Sequence, residues 1–354
     1  MLYSIAGTIG RVSIVTEDIL PANTNQAVAI IRPNLEKISL QYLRYALINP
    51  ELKKLLLSKV VHAVQANLSL TEIGNCPIPI PKSEEQQSMA KILSDLDSKI
   101  ELNQQMNKTL ESIGQAIFKR WFVDFEFPNE EGKPYKSSGG EMVDSELGPI
   151  PLNWEIKELG ELSEIAKKTI NPQELPNTDF QHYSIPAYDE SESPVLSSGH
   201  EIKSIKSLVD NESVLVSKLN PEINRIWLPF VRGNDKAICS TEFIVYKPKK
   251  GISRIFIYHI VKTNKFLDFF SSLVTGSTGS RQRVPPKDTL KYKLTIPRDK
   301  TIVKYFCEIT SPLLIRGALN LDQRSVLAQI RNFLLPRLMS GRIRVPLSKD
   351  HMEA

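Results

Sequence analysis

IPIPKSEEQQSMAKILSDLDSKIELNQQMNKTLESIGQAIFKRWF, residues 78–122, and LTIPRDKTIVKYFCEITSPLLIRGALNLDQRSVLAQIRNFLLPRL, residues 294–338, are two versions of one pattern. Each opens on an Ile-Pro stop and then runs on with helical apolar spacing. In the first, Leu93, Leu96, Ile100, Asn103, Asn107, Leu110, Ile117 and Trp121 fall on three- and four-residue steps, with one full heptad between Leu110 and Ile117, the spacing of a coiled-coil seam. Ser83, followed by two glutamates, reads as the N-cap. A helix of about 38 residues would be about 57 Å long and needs a partner for its stripe. Val303, Phe306, Ile309, Leu327, Ile330, Leu334 and Leu338 of the second copy supply one. Asn103 aligns with Asn320 after a one-residue shift. A buried Asn in a seam fixes register at some cost in stability; the plain alternative is exposure to solvent. Pro312 predicts an interruption or kink in the second helix.

The repeat extends upstream. LYSIAGTIGRVSIV…NTNQAVAIIRPN, within residues 2–34, corresponds faintly to VLVSKLNPEINRIWLPFV…ICSTEFIVYKPK, within residues 214–249. Both read as strand, polar turn, strand, then a strand ending in a basic residue and Pro. Both are followed by a predicted helix, SLQYLRYALINPELKKLLLS and SRIFIYHIVKTNKFLDFFSS. The second copy has about 65 further residues, starting near Leu147, for which the first has no counterpart. Residues 1–5 are strand-like with no lead-in, so the first unit is expected to lack its opening half. Residues 125–154 are rich in Gly, Pro, Ser and acids and read as a connector.

With 354 residues, 41% hydrophobic and 24% charged, two or three domains with buried cores are expected. A net charge of +5 permits nucleic-acid binding without demonstrating it. Cys76, Cys239 and Cys307 form no CxxC pair, which fits a reducing cytoplasm. No run of about 18 apolar residues predicts a membrane span, and MLYSIAGTIGR lacks the order of a signal peptide.

Motifs for catalysis are missing from the sequence. There is no GxxxxGK[ST] loop, no GxSxG elbow, no HExxH and no Gly-rich dinucleotide turn. The Asn220-Pro221 pair is followed by Glu222-Ile223, not by the Pro-aromatic pair of amino-methyltransferases. His62, His182, His200, His259 and His351 are scattered, so no metal site is expected.

Three polar loops remain. VTGSTGSRQR, residues 274–283, offers Thr275, Ser277, Thr278, Ser280, Arg281, Gln282 and Arg283. Hydroxyls, amide N–H groups and arginines donate to phosphate, and Arg or Gln reads guanine or adenine edges. Lys218 and Asn220, with Arg225, make a second basic, amide-bearing turn. Thr8 and Arg11 in GTIGR make a third. Each, taken alone, is also readable as a polar surface turn. Tyr183 and Tyr188 are readable as DNA contacts or as partly buried core. Phe118, Trp121 and Phe122 read as core.

With these residues in view, the chain resembles the specificity subunit of type I restriction-modification enzymes. FKRWFVDFEFPNEEGKPYKSSGGEMVDSELGPIP, residues 118–151, resembles that family's central region. NTNQAVAIIRP, residues 23–33, and IRNFLLPRLMSGRIRV, residues 330–345, match its wording too. The resemblance implies an α+β (mixed α/β) fold: target-recognition domains joined by two long antiparallel helices in a coiled-coil rod. The expected boundaries are a partial first recognition domain at 1–79, a long helix at 80–125 and a connector at 126–147. A complete second recognition domain follows at 148–293, then a second long helix at 294–345 and a tail at 346–354. The implied role is non-catalytic reading of a split target in double-stranded DNA. Leu93, Leu96, Ile100, Asn103, Leu110, Ile117 and Trp121 would form the spacer with Asn320, Leu327, Ile330, Leu334 and Leu338. Methyltransferase subunits would dock on it, and restriction subunits through them. S-adenosylmethionine, ATP and Mg would belong to those partners, with no metal or cofactor in this chain. The competing reading is a coiled-coil scaffold that binds protein with little DNA specificity.

Overall fold

The computed structural model describes residues 1–58, 67–233, 236–274 and 282–345. The chain opens with β1 (Leu2–Ser4), β2 (Val12–Ser13) and β3 (Val28–Ile30), then α1 (Leu40–Ile48), α2 (Pro50–Ser58), α3 (Leu70–Gly74) and α4 (Ser83–Phe118). Next come β4 (Met142–Val143), β5 (Ile150–Pro151), β6 (Trp154–Glu158), α5 (Leu159–Leu162), β7 (Ser163–Ile165), β8 (Thr169–Ile170) and β9 (Asp179–Tyr183). They lead to α6 (Ile185–Ser191), β10 (Val195–Ser198), β11 (Lys206–Val209), β12 (Val214–Ser217), β13 (Ile226–Trp227), β14 (Lys236–Cys239) and β15 (Phe243–Pro248). The chain closes with α7 (Arg254–Val261), α8 (Asn264–Ser272), α9 (Pro286–Thr289), β16 (Lys293–Pro297) and α10 (Thr301–Met339). It divides into two compact units, residues 1–104 with 323 onward, and residues 105–322.

In the first unit β1 lies between β2 and β3, antiparallel to both. Tyr3, Tyr42, Leu43, Leu47 and Leu56 pack on Met89, Ala90 and Leu93 of α4 and on Leu335, Leu338 and Met339 of α10. The two helix segments run antiparallel, since Asp97 meets Arg331 and Asn103 meets Gln323. Arg44 (3.1 Å) and Arg331 (2.8 Å) both donate to Asp97, as does the Tyr45 hydroxyl (2.8 Å). These bonds outweigh the desolvation of Asp97 and hold its carboxyl below the usual carboxylate range.

The second unit is larger. One sheet has the order β10-β9-β14-β11-β8, antiparallel except for the parallel β9–β14 pair. The other, β13-β12-β15-β7, is wholly antiparallel. Every residue of β12 is buried, which explains its unbroken apolar run, VLV, before Ser217. The main core joins this sheet to α7, α8, the end of α4 and the start of α10. Phe118, Phe122, Phe256 and Phe306 meet there, with Phe122 5.0 Å from Phe256 and 5.3 Å from Phe306 between ring centroids. The connector is folded onto the same core: Phe127 stacks on Tyr135 at 4.6 Å and on Trp154 at 5.2 Å.

Several expectations need correction. Helix α4 starts at Ser83 itself, so Ser83 is not the N-cap; the Glu85 carboxylate accepts from the Lys82 backbone N–H at 3.3 Å. It ends in a π-helical turn, Lys119–Val123. Helix α10 is unbroken through Pro312. Each predicted helix after the upstream strands is two helices, because a second capping residue lies inside it. Ser39 caps α1, and the Asn49-Pro50 pair starts α2 with Asn49 accepting from the Glu51 N–H. Ser253 caps α7 and Thr263 caps α8. Ile330 is 42% exposed and does not belong to the seam. The next residue, Arg331, takes the inward position to reach Asp97, and one helical step turns Ile330 away by about 100°. Asn103 and Asn320 are both buried, not exposed. Leu93, Trp121 and Leu338 are buried, and Leu96, Ile100, Leu110, Ile117, Leu327 and Leu334 partly so.

Candidate nucleic-acid interface

Two loops, one in each unit, share one hydrogen-bond plan. In the second unit, Ser217 closes β12; its N–H donates to the Arg225 carbonyl at 2.9 Å and its hydroxyl to the Leu219 carbonyl at 3.2 Å. The Lys218 N–H donates to the Glu242 carbonyl at 2.9 Å, and its own carbonyl accepts from the Val284 N–H at 3.0 Å. Leu219 forms an isolated bridge with Arg283. In the first unit, the Ser4 N–H donates to the Arg11 carbonyl at 2.9 Å and its hydroxyl to the Thr8 carbonyl at 2.5 Å. The Ile5 N–H donates to the Ala27 carbonyl at 2.8 Å, and its carbonyl accepts from the Leu68 N–H at 3.0 Å. Ala6 forms an isolated bridge with Asn67. Ser4, Ile5, Ala6, Asn67 and Ala27 thus stand where Ser217, Lys218, Leu219, Arg283 and Glu242 stand. The turn after each bridge needs a left-handed residue: Gly7 at φ 67° and Asn220 at φ 50°. Glycine takes that conformation freely and Asn better than most.

The second loop brings Lys218 and Asn220 beside Gln282 and Arg283, since the Asn220 N–H donates to the Gln282 carbonyl at 3.0 Å. Two polar stretches about 60 residues apart in sequence therefore form one surface. Thr275, Ser277, Thr278, Ser280 and Arg281 lie outside the described residues. Thr8 and Arg11 are exposed on the first loop.

Arg225 requires a correction. Its side chain is 8% exposed, and its guanidinium makes a two-pronged ion pair with Asp189, at 2.6 and 2.9 Å. It holds α6 to the loop and does not point at a ligand. Arg283 pairs with Glu242 in the same fork geometry, at 3.0 and 2.9 Å, but stays 48% exposed on its side chain. That pair, with the nearby Lys218 charge, keeps the Glu242 carboxyl below its ordinary value. Tyr183 and Tyr188 pack edge-on against Trp227, each at 5.0 Å, and belong to the core. Glu242 and Asp189 carried no motif. An alignment of the two loops would have exposed Ser4 and Ser217, the serines that pin them.

Among the described residues no cluster of His, Cys, Asp or Glu is placed to hold a metal. No helix among them is long and apolar enough to cross a membrane.

Residues 1–112 match the family model described as the type I restriction modification DNA specificity domain. The chain is 27% identical to the type I restriction enzyme MjaIX specificity subunit of Methanocaldococcus jannaschii, over 98% of this chain and 78% of that protein. The relatives the chain is similar to are named as type I restriction enzyme specificity subunits. A second subunit from the same organism, the putative type I restriction enzyme MjaX specificity subunit, is 24% identical over 89% of this chain and 71% of its own length. The type I restriction enzyme HindI specificity subunit of Haemophilus influenzae is 30% identical over 49% of this chain. The fold is similar to that in the crystal structure of the type I restriction-modification system S subunit from M. genitalium, with a TM-score of 0.54 at 14% identity, over 95% of this chain and 82% of that one.

Proposed function

We propose that this chain is a type I restriction-modification specificity subunit that reads duplex DNA through its two equivalent loops and performs no chemistry of its own. The observation that carries this is the repeated loop: one serine-pinned, bridge-locked turn in each unit, with polar and basic side chains at its rim. Two copies of one rigid presentation device suit a target read in two parts. In the second loop Lys218, Asn220, Gln282 and Arg283 supply donors to phosphate and base edges. In the first, Thr8 and Arg11 do so. Helices α4 and α10, unbroken over 36 and 39 residues, form the coiled-coil spacer and the surface on which methyltransferase subunits dock. Restriction subunits join through those, in the cytoplasm, and S-adenosylmethionine, ATP and Mg act in the partners.

The test is titration of labelled duplex DNA with the full chain, alone and with its methyltransferase partner, over a range of salt. Binding that weakens linearly in log salt is expected, because phosphate contacts release counterions. Absence of binding at low salt in both forms would refute the reading.

A further inference from the structure

We infer that Glu242 is a specificity-determining residue, a carboxylate that holds Arg283 and thereby penalises binding to DNA of the wrong sequence. The inference rests on the DNA-reading function proposed above and deepens it at the second loop.

The first observation is geometric. Glu242 occupies both faces of the interaction: its carbonyl receives the Lys218 N–H, and its carboxylate takes the Arg283 guanidinium in a fork, at 3.0 and 2.9 Å. The Arg283 cation is thus tied to an acid that lies at the surface with it, and the backbone bond keeps Lys218 next to that acid, near enough for its charge to act on the carboxyl.

The second is the internal comparison. In the first unit the place of Glu242 is taken by Ala27, that of Lys218 by Ile5 and that of Arg283 by Asn67. The same backbone bonds form there, at nearly the same distances, without any ion pair. The turn therefore does not need Glu242 to fold. An acid set among DNA-facing cations, and dispensable for the loop, acts on the ligand.

Its effect follows from charge. A duplex of arbitrary sequence offers phosphates, which compete for Arg283 but repel the carboxylate left behind. A base pair that offers an acceptor to Arg283 and an amino donor to Glu242 satisfies both. A G·C pair has that combination in the major groove, guanine O6 and N7 with cytosine N4. The pair is exposed enough to open without a large barrier, so it discriminates without locking the loop.

The experiment uses the full chain with a 25-base-pair duplex of randomised sequence. Wild type is compared with Glu242→Gln and with Glu222→Gln, which removes an exposed acid of the same loop. Glu242→Gln is expected to bind the random duplex about tenfold more tightly at low salt, with the salt slope steeper by about one to two for the cations released. Glu222→Gln is expected to change affinity by less than about threefold, and Glu242→Gln with Arg283→Ala to lose most of the gain. Equal gains from both glutamine variants, or none from Glu242→Gln while wild type binds, would overturn the role of Glu242 and leave the DNA reading intact. No binding by any variant would overturn the DNA reading, and this inference with it. The melting temperature of Glu242→Gln should stay within about 2 °C of wild type, which excludes an unfolding effect.

Discussion

The imidazole of His259, on α7, lies over the α-carbon of Gly114, on α4: a Cβ built on that glycine would stand 2.7 Å from the ring Cε1. Glycine inside a helix normally costs about 0.5–1 kcal/mol relative to Ala. Here its missing side chain is what lets the ring in. The ring has little room to retreat, since it stacks on Phe118 at 6.0 Å and meets Phe306 edge-on at 5.0 Å between centroids. Gly114→Ala should therefore lower stability by about 1–3 kcal/mol, the usual range for overpacking. The urea midpoint measures this. A raised midpoint would mean that the ring can shift and that helix propensity wins.

The same histidine makes stability depend on pH. Burial pulls His259 down to about 4 from the ordinary 6.5. Between those values the unfolded chain binds a proton that the folded chain refuses. The contribution is full above pH 6.5 and is lost as pH falls toward 4. Going from pH 7.5 to 5, the loss from this residue should be about 2 kcal/mol. His182, also drawn to about 4 by burial and by the Lys206 charge, acts in the same direction. It counts for less because its ring is less enclosed. Urea midpoints at the two pH values, for wild type and His259→Gln, test the assignment. The variant should show a visibly smaller drop, and an equal drop would place the proton elsewhere.

The long helices were legible because three- and four-residue spacing over 36 and 39 residues leaves little alternative. The misplacement of Ile330 shows where that reading fails. Apolar spacing cannot see that an arginine belongs in the seam when the facing helix supplies Asp97. The loops were legible as polar and basic, and their repetition as a faint similarity. What the sequence does not display is which cations are already engaged. Arg225 is satisfied by Asp189, 36 residues away, and Arg283 by Glu242, 41 residues away. Each looks like a donor until the strands that carry its partner are folded together.

Asp97 gathers Arg44 and Tyr45 from α1 and Arg331 from α10, and its side chain is 20% exposed. Asp97→Asn keeps the shape but leaves two guanidiniums without their counter-charge. A fully buried pair broken from one side costs about 3–5 kcal/mol. With partial solvent access here, a loss of about 2 kcal/mol is expected. Replacing Arg331 by Met in the Asp97→Asn background should cost little more, since the shared interaction is already gone. Additive losses in that double-mutant cycle would show that the charges act independently.

Arg225 and Lys218 should separate stability from binding. Arg225→Ala removes the clamp on Asp189 and should lower the melting temperature by several degrees. Lys218→Ala, a partly exposed side chain on the loop, should leave melting unchanged. Instead it should weaken DNA binding and reduce the salt slope by about one. Affinity and melting measured on both variants decide it. If Lys218→Ala binds like wild type, the residue contributes no phosphate contact.

Within the second unit, the Asn320 amide donates to the Asn107 side-chain carbonyl at 2.8 Å, and the Asn107 amide to the Gly317 carbonyl at 3.0 Å. Asn320 is 1% exposed, so this is a polar pair inside an apolar seam. Asn320→Leu alone should destabilise by about 1–2 kcal/mol, because the Asn107 carbonyl loses its donor. Asn107→Leu with Asn320→Leu should recover that loss or exceed wild type, as paired apolar residues fill the seam. The gain should come with a weaker register, since polar seam residues specify which turns face each other. A urea denaturation series would show it as a higher midpoint, and a cysteine cross-link placed one turn out of register would form more readily than in wild type. If the double variant is as unstable as the single, the asparagines contribute to stability directly and do not serve to choose the register.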